Sequence, residues 1–289
     1  MSGTPSAPPF PAGSGSRAFF IAVAVAVPVL VLLAATLVMH PSSDLAAASA
    51  SGGLLVAGSA AAASCFLRAR RSPGRRRSAW QLIGVAGLIV VVGNLVSAVV
   101  GGGTAGLSTA LNDVAIATAL TVSIVALLLF PAIRSHRGVA VLVLDGLVAG
   151  SAVLLIASSL VYDDLLSSTT GGVSGATVLV LPVLDVVMAT IAVLLLTRSN
   201  TADRAALALI AAGYLFYMLS DLNYAVIQAQ DGYLFGTWND LGWIVGYSLI
   251  GLAAWVPTHE VGHAPARPRT AQIAGTVTIF AVLLAAGVI

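Results

Sequence analysis

The chain has 289 residues, of which 58% are hydrophobic and only 8% are charged, and its formal net charge is +2. A mean hydropathy of +1.01 is typical of a chain that folds in lipid, and it argues against a water-soluble domain. All 13 basic residues are Arg, and they lie between apolar runs, so the small positive charge does not indicate binding to nucleic acid.

Apolar runs of similar length follow one another along almost the whole chain. Residues 1–16 are rich in Pro, Gly and Ser and predict a disordered cytoplasmic tail. Each later run approaches the roughly 20 residues that a helix needs to cross about 30 Å of hydrocarbon. The sequence therefore predicts an all-α fold, a polytopic transmembrane helical bundle of about nine spans, in one integral membrane domain over 17–289. The runs are 17–40, 46–67, 79–100, 106–131, 138–161, 172–197, 205–228, 239–256 and 270–289.

The arginines lie on one side of the predicted alternation. They precede the first run and occupy the connections 68–77, 134–137, 198–204 and 267–269. By the positive-inside rule these connections and the amino terminus are cytoplasmic, in a cell membrane. The segment 68–77 is interpreted as a topogenic signal, with contact to anionic lipid headgroups as the alternative. The first run is longer than the roughly 7–15 apolar residues of a signal peptide, which favours a retained span.

Five aspartates fall inside or at the ends of the predicted spans. A carboxylate in hydrocarbon is costly unless it is paired or faces a cavity, so each is a candidate functional residue. No Arg lies at their depth, and they must be protonated, hydrogen-bonded to neutral groups, hydrated or bound to a cation. Interhelical packing is the prediction for Asp145 and for Asp185, which follows Pro182 in its run. The five are Asp113, Asp145, Asp185, Asp221 and Asp240.

Two runs carry stripes of aromatic and acidic residues. In the seventh run, Tyr and Asp recur every three or four positions from Tyr214 to Gln228, and Asp240, Trp243 and Tyr247 do so in the eighth. A ligand-binding or sensing pocket in the outer half of the membrane is one interpretation. The alternative is that these residues are interfacial aromatics and interhelical hydrogen-bonding groups. The candidate residues are Asp113, Tyr217, Asp221, Tyr224, Trp238, Asp240, Trp243 and Tyr247.

One short segment matches a zinc protease motif. The sequence His259-Glu260-x-x-His263 fits H-E-x-x-H, in which a helix presents two His ligands to zinc. Pro257 and Pro265 flank it, so a stable helix is not expected there. Intramembrane zinc proteases have a helix with the sequence Leu-Asp-Gly after this motif. In this chain Leu144-Asp145-Gly146 comes before the motif. We therefore predict no catalytic residue, no metal site, no cofactor and no enzymatic activity.

Several helical patterns together resemble a known kind of membrane region. They are SAWQLIGVAG after the Arg-rich loop, LNDVAIA, LVLDGLV, VLPVLDVVMA, GYLFYMLSDLNYAV and GTWNDLGWIVGYSLIGLAAWVP. Over roughly 70–256 the chain is similar to the multi-pass input region that precedes GGDEF and EAL domains in bacterial cyclic-di-GMP signalling proteins. The resemblance implies a membrane sensor or anchor that receives an unknown small ligand and acts on a cytoplasmic signalling output domain. It leaves a homodimer open.

The chain departs from that family because it contains no GGDEF, EAL or kinase sequence. Nine spans from a cytoplasmic start also put the carboxyl terminus outside, whereas a cytoplasmic output domain needs an even number. We therefore expect a fragment of a longer signalling protein or a stand-alone input module. The alternative function is a transporter coupled to protons or cations. Carboxylates that cluster outward and the lack of a visible inverted repeat weigh against it.

A topology reporter tests the predicted number of spans. We expect a reporter fused after Ile289 to be active only on the external side, because nine crossings from a cytoplasmic start end there. The same reporter inserted in 68–77 should be active only in the cytoplasm. Cytoplasmic activity after Ile289 would contradict the odd number of spans.

Overall fold

The computed structural model gives bounds for seven α-helices, and the residues described between 140 and 155, which lie between the fourth and the fifth of them, are also helical. It describes residues 14–41, 43–100, 105–130, 140–141, 143–148, 151–152, 155, 173–199, 201–230 and 235–257, and no strand occurs among them. The predicted all-α fold is therefore confirmed for this part of the chain. The helices are α1 (Ser14–Met39), α2 (Asp44–Arg70), α3 (Gly74–Val100), α4 (Ala105–Leu128), α5 (Val173–Arg198), α6 (Thr201–Gln230) and α7 (Asp240–Ala253).

The first 6 helices are long and apolar enough to cross a membrane, as expected for a multi-pass membrane protein. The seventh, α7, is apolar but has only 14 residues. Of the predicted fifth run, residues 143–148 are helical. The ninth run and the tail up to residue 13 lie outside the described residues, so the count of nine spans stays a prediction. Helix α1 begins at Ser14, so the last three residues of the predicted disordered tail, 14–16, are helical.

Six of the helices close into a ring. Each of α2 to α6 packs against the next helix along the chain, and α7 packs back against α2. Helix α1 lies outside this ring and contacts only α2 and α7 among the larger helix contacts. Its apolar side chains are largely exposed, among them Phe20, Leu32 and Met39. These side chains would face lipid, whereas the polar groups of the ring can face one another.

The largest buried side chains lie toward one end of the ring. Trp80 and Phe130 meet edge to face with ring centroids 5.7 Å apart. Leu195, Leu207 and Ile210 are fully buried in the same cluster. Helix association in lipid depends on close packing rather than on exclusion of water, so this cluster should fix the relative positions of α3, α4, α5 and α6.

Polar contacts identify this end as the one that bears the arginines. Arg75 Nη2 donates to the carbonyl oxygen of Leu128 at 3.3 Å. Arg76 forms an ion pair with Asp203 at 2.6 Å. These contacts bring together the end of α4 and the starts of α3 and α6. The arginines of the described ranges all lie at this end, since each is at the start of α1, α3 or α6 or at the end of α2 or α5.

The end of α4 and the start of α5 lie at opposite ends of the bundle. Phe130 lies against Trp80 at the arginine end. Helix α5 has 26 residues and is therefore about 39 Å long. Its last residue, Arg198, comes directly before α6, which starts at the arginine end. Val173 therefore lies at the opposite end from Phe130.

Glycines allow α6 and α7 to cross closely. A Cβ atom added at Gly213 would lie 2.8 Å from the carbonyl oxygen of Gly246 and 2.9 Å from Ile250 Cγ1. A Cβ added at Gly246 would lie 2.8 Å from the carbonyl oxygen of Gly213. The two backbones are in contact here, an arrangement that small residues permit in membrane bundles. This crossing brings the aromatic and acidic faces of α6 and α7 together.

Substitution of Gly213 tests this crossing. We expect Gly213→Ala to lower the free energy of unfolding by about 1–3 kcal/mol, because the methyl group must push the α7 backbone away. The matched control is Gly52→Ala, where an added Cβ meets nothing within 4 Å. The control should be neutral or slightly stabilising, since Ala favours the helix. Thermal unfolding of both variants in one detergent compares them, and equal midpoints would contradict the close crossing.

Candidate functional site

The two predicted stripes of α6 and α7 face each other in the structure. The hydroxyl oxygens of Tyr217 and Tyr247 lie 3.2 Å apart, and their rings meet edge to face with centroids 5.3 Å apart. Trp243 Nε1 donates to Asp221 Oδ1 at 2.7 Å. Both tyrosines are buried. These contacts confirm the helical spacing on which the stripes were predicted.

A third helix adds a carboxyl group to this contact. Asp185 lies near the middle of α5, is 0% exposed, and faces Asp221 closely enough for their carboxyl groups to interact directly. Within the described part of the chain, neither oxygen of Asp185 receives an N–H or O–H group. The same holds for Asp221 Oδ2. The carboxyl–aromatic cluster is the name used below for Asp185, Tyr217, Asp221, Tyr224, Trp243 and Tyr247.

The chemistry of two facing carboxyl groups is restricted by their surroundings. Ionised carboxylates only accept hydrogen bonds, so Asp185 and Asp221 cannot satisfy each other when both are charged. Two like charges in a low-dielectric interior also repel strongly. No group of three or more His, Cys, Asp or Glu residues that could hold a metal ion occurs within the described ranges. One proton held between the two carboxyl groups would turn one of them into a donor and remove the repulsion between them.

Three aromatic rings lie near Asp221. Tyr224 and Trp243 lie with ring centroids 6.0 Å apart, and Phe235 stacks on Trp243 at 6.5 Å. All three rings are half-buried. Asp113 of α4 lies close enough to Tyr224 to interact with it electrostatically. Asp113, a predicted site residue on α4, therefore lies at the edge of the carboxyl–aromatic cluster.

Two other predicted residues lie outside the cluster. Asp240 Oδ2 accepts backbone N–H groups from Gly236 at 2.7 Å and Thr237 at 3.0 Å, so this carboxylate holds the turn before α7. Gly236 adopts φ +96°, and an added Cβ there would lie 2.7 Å from the backbone nitrogen of Ala47 in α2. Trp238 is 64% exposed. Asp240 therefore has a structural contact, and Trp238 lies on the surface.

Polar side chains join α6 and α7 toward the end of the bundle that lies away from the arginines. Ser220 Oγ donates to the carbonyl oxygen of Asn239 at 3.0 Å, and Asn239 Nδ2 donates to the carbonyl oxygen of Ser220 at 3.3 Å. Asn223 Nδ2 donates to Asn239 Oδ1 at 2.8 Å. These bonds give each amide a partner and hold the two helices in register. These bonds therefore join α6 and α7 next to the carboxyl–aromatic cluster.

The two aspartates predicted to serve in packing differ in their surroundings. Asp145 is exposed, while the neighbouring Gly146 lies against α5, where an added Cβ would be 3.3 Å from Val187 Cγ1. Asp185 belongs to the cluster, which its sequence position alone did not indicate. Its place near the middle of a helix marked it as a candidate, but nothing in the sequence pairs it with Asp221. The motif from His259 to His263 lies outside the described residues.

The hydrogen bond from Trp243 can be tested by removing its donor. We expect Trp243→Phe to lower the free energy of unfolding by about 1–3 kcal/mol, because Asp221 Oδ1 loses its N–H partner while its surroundings stay apolar. Trp238→Phe is the matched control, since that ring is exposed, and its effect should stay within about 0.5 kcal/mol. Chemical unfolding in detergent measures both variants. An equal effect of the two substitutions would mean that the bond adds nothing to stability.

The comparisons with known proteins leave the family of the chain open. No family model, no curated protein and no solved structure matches it. The resemblance to the input regions of cyclic-di-GMP signalling proteins therefore stays a prediction that depends on the helical patterns quoted above.

Proposed function

We propose that this chain is an integral membrane sensor or anchor module of a signalling protein. It receives a small ligand or a membrane signal through the carboxyl–aromatic cluster in the outer half of the bundle. The observation behind this proposal is that contacts between Tyr217 and Tyr247 and between Trp243 and Asp221 join two helices around a buried carboxyl group, that of Asp185. Buried ionisable groups inside membrane bundles are typical of functional sites.

The geometry of the bundle supports the proposed orientation. Arginines of the described ranges lie at one end, which the positive-inside rule assigns to the cytoplasm of a cell membrane. The hydrogen bond between Ser220 and Asn239 lies toward the opposite end of α6. Because Phe130 and Val173 lie at opposite ends, the chain crosses the membrane between them, which supports the predicted fifth span. With the run 270–289, the proposal comprises nine spans.

Helix α6 provides a direct mechanical connection between the cluster and the cytoplasmic end. Asp221 belongs to the cluster, and Asp203 on the same helix forms the ion pair with Arg76 of α3. The two aspartates are separated by about 27 Å of continuous helix at 1.5 Å per residue. A ligand that favours one arrangement of α6 over another would therefore also change the surroundings of Arg76. A cytoplasmic signalling output domain is the partner proposed from the resemblance.

A second candidate function is a transporter coupled to protons or cations. The observation that favours it is the position of Asp185, near the middle of α5 and 0% exposed inside the ring. Carboxyl groups at such depth mark proton and cation pathways in many transporters. Transport requires movement of a substrate across the membrane, whereas sensing does not.

Occupation of the cluster by a covalent probe tests the sensor proposal. In a Cys65→Ala background, Tyr224→Cys is modified with methyl methanethiosulfonate, and hydrogen exchange is followed in lipid nanodiscs. We expect altered exchange at the cytoplasmic starts of α3 and α6, because α6 joins the cluster to the ion pair of Arg76 and Asp203. The matched control is Trp238→Cys with the same reagent, since Trp238 lies outside the cluster and is 64% exposed.

Three outcomes separate the candidate functions. Exchange that changes only around position 224 would contradict a sensor, because the occupied cluster would not influence the cytoplasmic end. Proton flux in proteoliposomes that disappears in Asp185→Asn would favour the transporter. Distant changes in exchange without flux would favour the sensor.

A further inference from the structure

We propose that Asp185 and Asp221 form a proton-binding site in which the two facing carboxyl groups share one exchangeable proton. With one proton the pair has a single negative charge, and uptake of a second proton makes it neutral. This inference deepens the proposed function, and its role as a signal rests on that function. Proton binding itself depends only on the contact between the two carboxyl groups.

The contact offers a proton two facing carboxyl oxygens. Among the described residues, these oxygens receive no hydrogen bond from an N–H or O–H group. Asp185 is 0% exposed and both of its oxygens are without an N–H or O–H donor among the described residues. Asp221 Oδ1 already accepts from Trp243, and Asp221 Oδ2, which is buried, is without a donor in the same part of the chain. A proton between the two groups converts one carboxylate into a donor and satisfies the other. Coupled carboxyl groups of this kind titrate as a pair.

The surroundings favour proton retention over full ionisation. The ionisable groups that interact with the pair are Tyr217 of α6 and Tyr247 of α7, whose hydroxyls pair with each other. Tyr224 of α6 also lies close to Asp221 and connects it to Asp113 of α4. None of these groups is a cation. The arginines of the described ranges lie at the far end of the bundle, so no fixed positive charge compensates two buried carboxylates.

A bound metal cation fits the contact less well than a proton does. Cations such as Ca²⁺ and Mg²⁺ need about six or more oxygen ligands, whereas the pair offers two carboxyl groups. The two neighbouring tyrosine hydroxyls bond to each other at 3.2 Å. A proton needs only the two facing oxygens that the structure provides.

Proton occupancy controls the contact between α5 and α6. Loss of the shared proton leaves two adjacent carboxylates on packed helices, and their repulsion favours separation of α5 from α6. Separation displaces the same α6 whose start holds the ion pair with Arg76. The signal proposed for this module is therefore a change in the number of protons on the pair.

Infrared spectroscopy of the full chain in proteoliposomes tests the site directly. In the wild type at neutral pH we expect one carbonyl band of a protonated carboxylic acid that Asp185→Asn and Asp221→Asn each remove or shift. Acidification should add a second acid band from the pair in the wild type. Either variant keeps only one carboxyl group of the pair and gains no second band there, whereas the bands of all other carboxyl groups appear in the wild type and in both variants. Asp203→Asn is the control, since Asp203 belongs to the ion pair with Arg76 and should leave these bands unchanged.

Three results would overturn the proposal. The first is a wild-type spectrum without an acid band at neutral pH. The second is an acid band that Asp221→Asn leaves in place, since the proton would then belong to Asp185 alone. The third is loss of the band when NaCl replaces choline chloride, which would identify a sodium site. If a variant fails to accumulate, Asp185→Glu or Asp221→Glu replaces it, since Glu keeps a carboxyl group at that position and should shift the band.

A result that contradicts the proton-binding site can be distinguished from a result that contradicts the sensor. The infrared bands report only the protons on Asp185 and Asp221, whereas hydrogen exchange after modification at position 224 reports transmission along α6. A proton site without transmission would retain the inference on binding and contradict the sensor. Transmission without a shared proton would retain the sensor and require a different ligand.

Discussion

Hydrocarbon offers no hydrogen bonds, so a polar group in this bundle has to find its partner within the protein, either in its own helix or on another. That constraint explains why the ring of α2 to α7 collects its polar side chains inward, while α1 presents Phe20 and Leu32 to the outside. It also explains why α6 and α7 are joined by reciprocal amide and hydroxyl bonds. Among the described residues, Asp185 is the buried carboxyl group of which both oxygens are without a donor.

The structure combines two kinds of helix contact with different consequences. At Gly213 and Gly246 the backbones meet directly, so the distance between α6 and α7 is fixed by their own atoms. Between α5 and α6 the contact includes two carboxyl groups, and the proton-binding site proposed above would make that contact depend on charge. Helix α6 therefore has a close backbone contact on one side and a contact between acidic groups on the other.

Much of the fold could be predicted from the sequence, and the reasons differ among its parts. Long apolar runs and arginines between them predicted the helices, because the thickness and the charge asymmetry of a membrane act on each segment separately. The spacing on α6 correctly predicted that Tyr217 and Asp221 share a face that meets Tyr247 and Trp243. Helix spacing does not specify which helices are neighbours, so the contact of Asp185 with Asp221 could not be predicted. The aspartate at 240 was expected in a pocket because its turn, which uses it as an internal acceptor, has no distinctive sequence signal.

The closure of the ring has a consequence for biosynthesis. Trp255 Nε1, just after α7, donates to Ser64 Oγ on α2 at 3.0 Å, and these residues are 191 positions apart in the chain. At the roughly 5–20 residues per second of translation, α2 waits about 10–40 s in the bilayer before its partner is synthesised. During that interval its small-residue face is available to other membrane helices or to a chaperone. A chain that ends before α7 would leave this face of α2 uncovered in the bilayer.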